Sequence, residues 1–543
     1  MGMEVEIAAG NCFVCNKACK SRCSSCFQVF YCSADHQRQD WKTHKKNCSP
    51  MRVCHNEKIG RHYVATRNIK PGEIVLRESP LVIGPSQVTA PVCVGCLQEV
   101  HQNKHSECEK CGWPICSQSC QNNINHVNNE CKMTADRGDK VSIKDYILPH
   151  PLYGYLLPLR CLMLKENNPE KWKKLLELQS QDDEATETDQ FRQKMESVGK
   201  FIPRLCTDTL SRTYPFRSFF KCNKWSEDEI NKVNGISQIN GHELPLTNPS
   251  CVAVYYKASF FEHSCRPNLS KSFSSNNEIV FWAPNGIKAN EHLTISYTDV
   301  LWGTSNRQHH LKQTKHFECD CERCLDVTEY GTFFSAMKCP QCPEGMLTPS
   351  SLSEWKHDWR CTSCANTALF DSVAKRLDHI GQDLAAMDKE NESNCIKFIE
   401  HYLKWLSPNH FYITDVKVQL AQIIGAGVNG IQRISDDRLM LKAKTCKELI
   451  DSIEKIAPSE ARILGLMKFE LHSAYAEIGR RALQVKDPNC KSMLEFSLDC
   501  ANETIRLLSN EPDILPEGII CKQARINASS LLTLIGGMVE AGL

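Results

Sequence analysis

The chain has 543 residues, more than a single hydrophobic core usually serves, so we expect several domains. Its 65 lysines and arginines nearly balance its 64 aspartates and glutamates, which gives no electrostatic support for a protein that binds nucleic acid or an anionic membrane. No apolar run reaches the ~20 residues that span a bilayer, and the first residues carry Glu4 and Glu6 where a secretion signal would be basic. We therefore expect a soluble protein of the cytoplasm, the nucleus or both, with no membrane partner.

The 32 cysteines indicate zinc, because thiols do not persist as disulfides in a reducing compartment and CxxC pairs interleaved with histidines are typical zinc ligands. The first cluster, in residues 12–48, reads C-x2-C-x7-C-x2-C-x5-C-x3-H-x7-H-x3-C. Each CxxC turn lets two thiolates reach one ion, so eight ligands would make two tetrahedral sites that stabilise a finger too small to fold alone. Cys19 is better explained as a spare thiol. The eight candidates are Cys12, Cys15, Cys23, Cys26, Cys32, His36, His44 and Cys48.

Residues 60–76 predict two short strands around a turn at Pro71-Gly72. A second cysteine cluster follows in residues 93–131, and its spacing again permits two interleaved zinc sites. One candidate set is Cys93, Cys96, Cys116 and Cys120, and the other is Cys108, Cys111, His126 and Cys131.

Helical periodicity marks residues 136–238, in which we interpret the polar run 180–187 as a solvated loop. Strand-like residues return at 240–244 and 278–282. Two later CxxC pairs predict a zinc ribbon, with a packed cluster of reduced cysteines as the alternative. The ribbon ligands would be Cys339, Cys342, Cys361 and Cys364.

From Phe370 onward the apolar residues follow helical spacing, with later helical stretches at 461–483, 492–508 and 522–539. Consecutive helices joined by short loops suggest paired packing, although no strict 34-residue repeat is visible. We interpret the apolar stripes as core.

The stretch from Phe260 to Cys324 carries a resemblance to a known family. It contains His263-Ser264-Cys265-Arg266-Pro267-Asn268, then Ser296-Tyr297-Thr298-Asp299, and ends in Phe317-Glu318-Cys319-Asp320-Cys321-Glu322-Arg323-Cys324. These residues resemble the C-terminal half of the SET domain in the SET and MYND domain-containing methyltransferase family, above all its arthropod-type branch. The fingers, the split SET core, the last cysteines and the helical tail also follow the order of that family.

The resemblance implies an α+β multidomain protein, in which a split β-rich SET domain holds an inserted MYND finger, with an extra N-terminal MYND finger, a zinc ribbon-like module and a C-terminal α-helical, tetratricopeptide-like domain. The implied segments are an N-terminal MYND finger (1–50), the first part of the SET domain (51–90), a second MYND-like finger (91–135), a helical insert (136–238), the SET catalytic core (239–304), a post-SET zinc segment (305–326), the ribbon (327–369) and the helical domain (370–543).

The resemblance also assigns ligands. Zinc sites interleave in the MYND finger, so Cys12, Cys15, Cys32 and His36 would hold one ion and Cys23, Cys26, His44 and Cys48 the other. Cys265 resembles the first ligand of a post-SET site completed by Cys319, Cys321 and Cys324. With the second finger and the ribbon, we expect about six zinc ions.

For the cofactor, the resemblance implies S-adenosylmethionine. Tyr297 matches the catalytic tyrosine, His263 a histidine on the adenine side and Phe317 the aromatic residue that stacks on adenine. In the family, a Gly-x-Gly pair lets the backbone approach the methionine end of the cofactor. The corresponding positions in this chain are Gly60 and His62. The full set of implied cofactor-binding residues is Gly60, Arg61, His62, Glu262, His263, Tyr297 and Phe317.

Three departures from the family pattern bear on activity. His62 replaces the second glycine, Glu262 stands where asparagine is usual, and Lys315 stands where several relatives have a second channel tyrosine. Because His62 and Glu262 are both expected to face one pocket, we hypothesise that they pair with each other.

The first predicted function is therefore that of an S-adenosylmethionine-dependent protein-lysine N-methyltransferase, which acts on a histone or a non-histone protein. The alternative is a catalytically weak SET-fold adaptor, similar to a transcriptional corepressor, whose N-terminal finger binds proline-rich peptides through a groove at Gln37 and Trp41. Direct nucleic-acid binding is disfavoured by the near-zero net charge. We expect a monomer.

Overall fold

The computed structural model describes residues 10–23, 29–101, 105–180, 224–350, 357–427 and 430–540. The chain divides into two compact units. The first comprises residues 1–76, 261–272 and 280–543, and the second comprises residues 77–260 and 273–279. Among the described residues, no helix has the length and apolar character needed to cross a membrane.

The first unit begins with the N-terminal finger. Its short strands Gly10–Asn11 and Ala18–Cys19 pair antiparallel, and its helix Ala34–Cys48 is capped by Ser33, whose hydroxyl accepts from the amide of His36. The strand Met51–Asn56 then pairs antiparallel with Gly60–Ala65. The two strands predicted around Pro71-Gly72 therefore exist, as Gly60–Ala65 and Ile74–Glu78, but the first of them takes its partner from the preceding segment.

The part of the first unit that follows residue 260 begins with short strands and two helices. The strand Glu262–His263 runs parallel to Thr294–Ile295, and the helix Thr304–Lys315 ends at His316, which adopts a left-handed conformation (φ 59°). The remaining elements are the strands Ser270–Phe273 and Ile279–Trp282 and the short helix Glu322–Leu325.

The second unit is built on a three-stranded antiparallel sheet, in which Cys251–Val254 lies between Val82–Pro85 and Gly241–Leu244. The helix Leu156–Asn167 is buried from Leu156 to Leu164 and packs on this sheet at Gly84, where a Cβ atom would lie 2.9 Å from the Cα atom of Leu157. The other elements are the hairpin Ser106–Glu107 and Pro114–Ile115, the helical segments Gln118–Gln121, Ile124–His126, Val127–Cys131, Lys132–Arg137, Pro151–Tyr155, Pro169–Leu176, Glu227–Asn240 and Ala258–Phe260.

Much of the C-terminal part of the first unit packs around one apolar core, whose members there run from Met337 to Leu507. The last helices form a second cluster of Ala482, Cys490, Leu494, Leu531 and Met538. A four-stranded antiparallel sheet of Met337–Lys338, Met346–Pro349, Trp359–Cys361 and Thr367–Ala368 forms the ribbon. Helices follow, as predicted from the spacing of apolar residues. They are Phe370–Ala386, Glu392–Tyr402, Phe411–Ile423, Ile431–Arg433, Asp436–Ile456, Ala461–Gln484, Cys490–Leu508 and Pro516–Glu540.

The described part of residues 136–238 contains the helices Leu156–Asn167, Pro169–Leu176 and Glu227–Asn240, in agreement with the helical periodicity of this segment. Most of the polar run 180–187, interpreted as a loop, lies outside the described residues.

Candidate active site and metal centres

Two short strands bring the candidate catalytic residues together. The strand Glu262–His263 lies beside Thr294–Ile295, and Tyr297 follows the second strand. The backbone amide of Tyr297 donates to Nδ1 of His263 at 3.0 Å, and its hydroxyl donates to the carbonyl of Phe261 at 2.5 Å. Both ends of the tyrosine are thus held by the neighbouring segment.

Tyr297 keeps its phenolic proton at neutral pH. Burial raises its pKa above the usual value, and the negative charge of Glu262 raises it further. Around it lie the rings of His263 and Phe317, with centroid distances of 5.2 Å and 6.5 Å, and these two rings are 5.8 Å apart. Four of the sequence-predicted residues, Glu262, His263, Tyr297 and Phe317, therefore lie in one place.

His263 connects this aromatic group to a cysteine cluster. Because its Nδ1 accepts from the amide of Tyr297, we assign the ring hydrogen to Nε2, which lies 3.2 Å from Sγ of Cys265. An N–H directed at a thiolate is a charge-assisted hydrogen bond. His263 therefore links the backbone amide of Tyr297 to the sulfur atom of Cys265.

The cluster at Cys265 gathers cysteines from two distant parts of the chain. The Sγ atom of Cys265 lies 3.5 Å from that of Cys324 and 4.0 Å from that of Cys319. The side chains are largely buried, and the four sulfur atoms lie within 4.8 Å of one another. This is the post-SET set predicted from the sequence, Cys265, Cys319, Cys321 and Cys324.

The buried charges around this cluster fit a zinc ion with four thiolates. Glu329 Oε1 accepts from Nη1 of Arg307 at 3.2 Å and from Nε of Arg323 at 3.0 Å, and all three side chains are almost fully buried. Arg323 also donates to the carbonyl of Cys265 at 3.1 Å. Two guanidinium groups on one carboxylate leave an excess positive charge, which a zinc–tetrathiolate centre with its net negative charge offsets. Arg307, Arg323 and Glu329 were not identified from the sequence.

The N-terminal side of the candidate pocket differs from the expected pairing. His62 is buried, and its Nδ1 lies 3.1 Å from the carbonyl of Gly60. Its ring stacks on that of His292, with centroids 4.7 Å apart and planes 16° apart, and Nδ1 of His292 lies 2.8 Å from Oε1 of Glu262. The hypothesis of a direct pair between His62 and Glu262 is therefore wrong, because His292 lies between them.

His292 was overlooked because its position beside His62 depends on a contact between Val64 and His292 that spans more than two hundred residues of chain. Gly60 has a positive φ of 70°, which favours glycine, and no atom lies within 4 Å of the place where its Cβ would be. Arg61 is exposed on the same strand. The second oxygen of Glu262, Oε2, is buried and has no hydrogen-bond partner among the described residues.

Lys315 ends the helix that precedes the cysteine segment. Its Nζ lies 5.7 Å from the centre of the Tyr297 ring. Burial lowers the pKa of Lys315 to about 8, and the charge of Lys271 contributes in the same direction. The residue predicted to replace a channel tyrosine therefore contacts the candidate catalytic tyrosine directly.

The second finger contains both predicted clusters, with His126 Nε2 3.6 Å from Sγ of Cys111. The other ring nitrogen, Nδ1, lies 3.1 Å from Oε1 of Glu130, and Arg160 donates to both oxygens of that carboxylate at 2.6 Å and 3.0 Å. Burial opposes the ionisation of Glu130, but Arg160 and His126 outweigh it and hold its pKa below the usual range. Arg160 also donates to the carbonyl of Ile83 at 2.9 Å, so the finger is tied to the sheet.

A carboxylate on the second nitrogen of a histidine is the usual support of a zinc-bound imidazole. Glu130 follows His126 by four residues on one helical stretch, and that spacing could have identified it. Arg160 is contributed by a separate helix and carries no local signal.

The remaining clusters also match the predicted ligand sets. In the first finger, Nδ1 of His36 lies 3.1 Å from Cys32 Sγ and 3.4 Å from Cys12 Sγ. In the ribbon, a Cβ on Gly345 would lie 2.3 Å from Cys361 Sγ, so only glycine leaves room for the ligands. The ligand atoms of each set lie within 4.8 Å of one another in Cys12, Cys15, Cys32 and His36; Cys93, Cys96, Cys116 and Cys120; Cys108, Cys111, His126 and Cys131; and Cys339, Cys342, Cys361 and Cys364.

The remaining predicted set is only partly visible, because Cys26 lies outside the described residues. Its other members, Cys23, His44 and Cys48, are buried, and the Sγ atoms of Cys23 and Cys48 are 3.5 Å apart.

Comparison with known families agrees with this arrangement. The MYND finger matches residues 12–48, and the SET domain matches residues 60–298. The chain therefore combines a MYND finger with a SET domain, as SET and MYND domain proteins do. The SET match encloses residues 93–131, so the second finger is an insertion in the SET domain.

Its relatives include SET domain-containing protein SmydA-8 of Drosophila melanogaster, whose isoform B is 29% identical over 66% of this chain and 75% of the relative. Histone-lysine N-methyltransferase ASHR2 of Arabidopsis thaliana is 22% identical over 50% of this chain and 71% of the relative. Histone-lysine N-methyltransferase ATXR4 of the same plant is 26% identical over 51% of this chain and 86% of the relative.

We predict that Glu130→Gln weakens zinc binding in the second finger about tenfold or more, because the amide no longer orients and polarises His126. Competition with a chromogenic chelator measures zinc release. Glu166→Gln is the matched control, since Glu166 forms ion pairs with the partly exposed Lys132 and Lys224 in the same unit. Equal release from both variants would contradict a role for Glu130 at the zinc site.

We predict that His263→Ala accelerates hydrogen exchange at the Tyr297 amide about tenfold, the equivalent of one lost hydrogen bond of ~1.4 kcal/mol. Exchange followed by mass spectrometry on peptides covering Tyr297 measures this. His310→Ala serves as the control. His310 lies on the helix Thr304–Lys315, and its ring packs against that of Trp302. Unchanged exchange in His263→Ala would show that the imidazole does not hold the tyrosine.

Proposed function

We propose that this protein is an S-adenosylmethionine-dependent protein-lysine N-methyltransferase. The observation that carries the proposal is the position of Tyr297, held by His263 and Phe261 and enclosed by Phe317, within a matched SET domain. The lysine-containing substrate protein is a histone or a non-histone protein.

The residues of the candidate pocket fit S-adenosylmethionine. Gly60 offers a backbone with open space beside it, and Phe317 offers a ring for stacking on adenine. The buried, unpartnered oxygen of Glu262 suits a cationic group, and this cofactor carries an ammonium and a sulfonium. With Arg61, His62 and His263, these residues would hold it.

S-adenosylmethionine supplies a methyl group on a sulfonium, which a neutral amine can attack. The contribution of the chain is orientation and desolvation, since an amine in a buried channel loses its proton more readily than in water. Tyr297 keeps its proton and donates a hydrogen bond to the carbonyl of Phe261, so it shapes the channel and does not act as a base. The hydrogen bond from Nε2 of His263 to Cys265 holds this strand against the post-SET cluster.

The N-terminal finger suggests a second binding activity. Trp41 is exposed on the helix Ala34–Cys48, one turn after Gln37, which suits the groove expected for proline-rich peptides. The alternative function is therefore a catalytically weak SET-fold adaptor that binds peptides, which the changes at Glu262 and Lys315 favour. We further propose that the C-terminal helices form a tetratricopeptide-like domain and that the protein is a monomer of the cytoplasm, the nucleus or both.

Calorimetric titration of the zinc-loaded protein with S-adenosylmethionine tests the proposal. We predict micromolar binding that Phe317→Ala weakens about tenfold to a hundredfold, because stacking on a base contributes ~1–3 kcal/mol. Phe496→Ala, which removes a partly exposed ring among the C-terminal helices, is expected to bind normally. If folded, zinc-loaded protein does not bind S-adenosylmethionine, the methyltransferase hypothesis is wrong and the adaptor hypothesis remains.

Methyl transfer to lysine-containing peptides is the second test. Tyr297→Phe should bind S-adenosylmethionine and transfer methyl groups poorly, because it lacks the hydroxyl that anchors the ring on Phe261. A variant as active as the original protein would remove Tyr297 from the catalytic machinery.

A further inference from the structure

Lys315 occupies an unusual place for a lysine side chain. It lies two residues before Phe317, and the left-handed residue His316 turns the chain between them. Both side chains are directed to Tyr297, with Lys315 Nζ 5.7 Å from the tyrosine ring centre and the Phe317 ring at 6.5 Å. One short segment thus presents an amine and the proposed adenine-stacking ring to the same tyrosine.

The chemical state of this amine suits methyl transfer. With its pKa lowered to about 8, Lys315 is about half neutral at pH 8, whereas an ordinary lysine with a pKa of ~10.4 is less than ~1% neutral there. Burial is the main cause, and the charge of Lys271 adds to it. A bound sulfonium would add a further positive charge and favour the neutral amine still more.

We propose that Lys315 is an internal methyl acceptor, which receives its methyl group from S-adenosylmethionine bound beside Tyr297 of the same chain. This inference rests on the proposed methyltransferase function and names a substrate for it. In the step, the Nζ lone pair forms a bond to the methyl carbon, the carbon–sulfur bond breaks, and its electron pair stays on sulfur. The products are a methylammonium at Lys315 and S-adenosylhomocysteine.

Lys312 provides a matched comparison on the same helix. It lies one turn earlier, is partly exposed and pairs with Glu318 at 2.6 Å. Its ammonium is engaged by the Glu318 carboxylate, whereas the amine of Lys315 lies over the Tyr297 ring. Methylation that discriminates between these two lysines therefore reports the position of the amine and excludes a general reactivity of the helix.

The test uses the full, zinc-loaded chain and S-adenosylmethionine with a deuterated methyl group, followed by peptide mass spectrometry. We predict label on Lys315 and none on Lys312, with a rate constant that does not change over an about tenfold dilution of the protein. Lys312→Arg should leave the labelling intact, whereas Tyr297→Phe should reduce it about tenfold or more. Labelling that slows on dilution would overturn transfer within one chain.

A second measurement does not depend on catalysis. Trace acetylation of the cofactor-free protein at a series of pH values should give a Lys315 reactivity that levels off above pH ~8, while that of a lysine in a short reference peptide continues to rise toward pH ~10. A Lys315 profile equal to that of the reference peptide would contradict the neutral amine on which the transfer depends.

The outcomes also separate this inference from the function on which it rests. If the protein binds S-adenosylmethionine and methylates an added peptide but leaves Lys315 unlabelled, the internal acceptor is wrong and the methyltransferase stands. If the protein does not bind the cofactor, both fall together. A Lys315→Met variant adds a further check, since removal of an internal competitor should raise methylation of the added peptide severalfold.

Discussion

The architecture depends on gathering thiolates around metal ions. Cys265 lies more than fifty residues from Cys319, Cys321 and Cys324, and a loop of that length closes only at an entropic cost that a few apolar contacts hardly offset. Four thiolates within 4.8 Å of one another would repel, and a zinc ion among them would remove that repulsion. The short segments around Phe317 and Tyr297 have little core of their own, so ligation at this cluster gives them a defined place.

Each of the two units has a buried arginine–glutamate ion pair beside a cluster of metal-ligand residues. In one, Arg160 neutralises Glu130, which in turn orients His126. In the other, Arg307 and Arg323 share Glu329 beside the four cysteines. A buried ion pair contributes little net stability, but loss of one partner leaves an isolated charge at a cost of ~3–5 kcal/mol. Such networks therefore act as requirements on the local structure, because only the native arrangement satisfies every member.

How well the sequence predicts a feature depends on how far apart in the chain the contacting residues lie. The ligand sets were predictable because a CxxC turn is local and the spacing between pairs repeats, and helical spacing was sufficient for the C-terminal domain. The partner strand of Gly60–Ala65 and the location of His292 between His62 and Glu262 were not predictable, since both depend on contacts between distant segments. Glu130 is an intermediate case. It lies only four residues after His126, so this contact was predictable, but its partner Arg160 lies on a separate helix and was not.

The three substitutions in the candidate pocket are better understood together than as separate losses. Oε1 of Glu262 lies at the Nδ1 edge of the His292 ring, Oε2 has no hydrogen-bond partner among the described residues, and His62 is stacked on the face of the His292 ring. Lys315 introduces an amine that is partly neutral beside Tyr297. A random loss of function would leave such groups exposed to water, where they cost little. Here the carboxylate oxygen of Glu262 and the lysine are desolvated, and a buried polar group persists only where a partner repays its desolvation. A cationic cofactor beside Glu262 would be such a partner, and its approach would also deprotonate Lys315. The three residues that depart from the expected family pattern are therefore consistent with a site that binds S-adenosylmethionine and accepts a different amine.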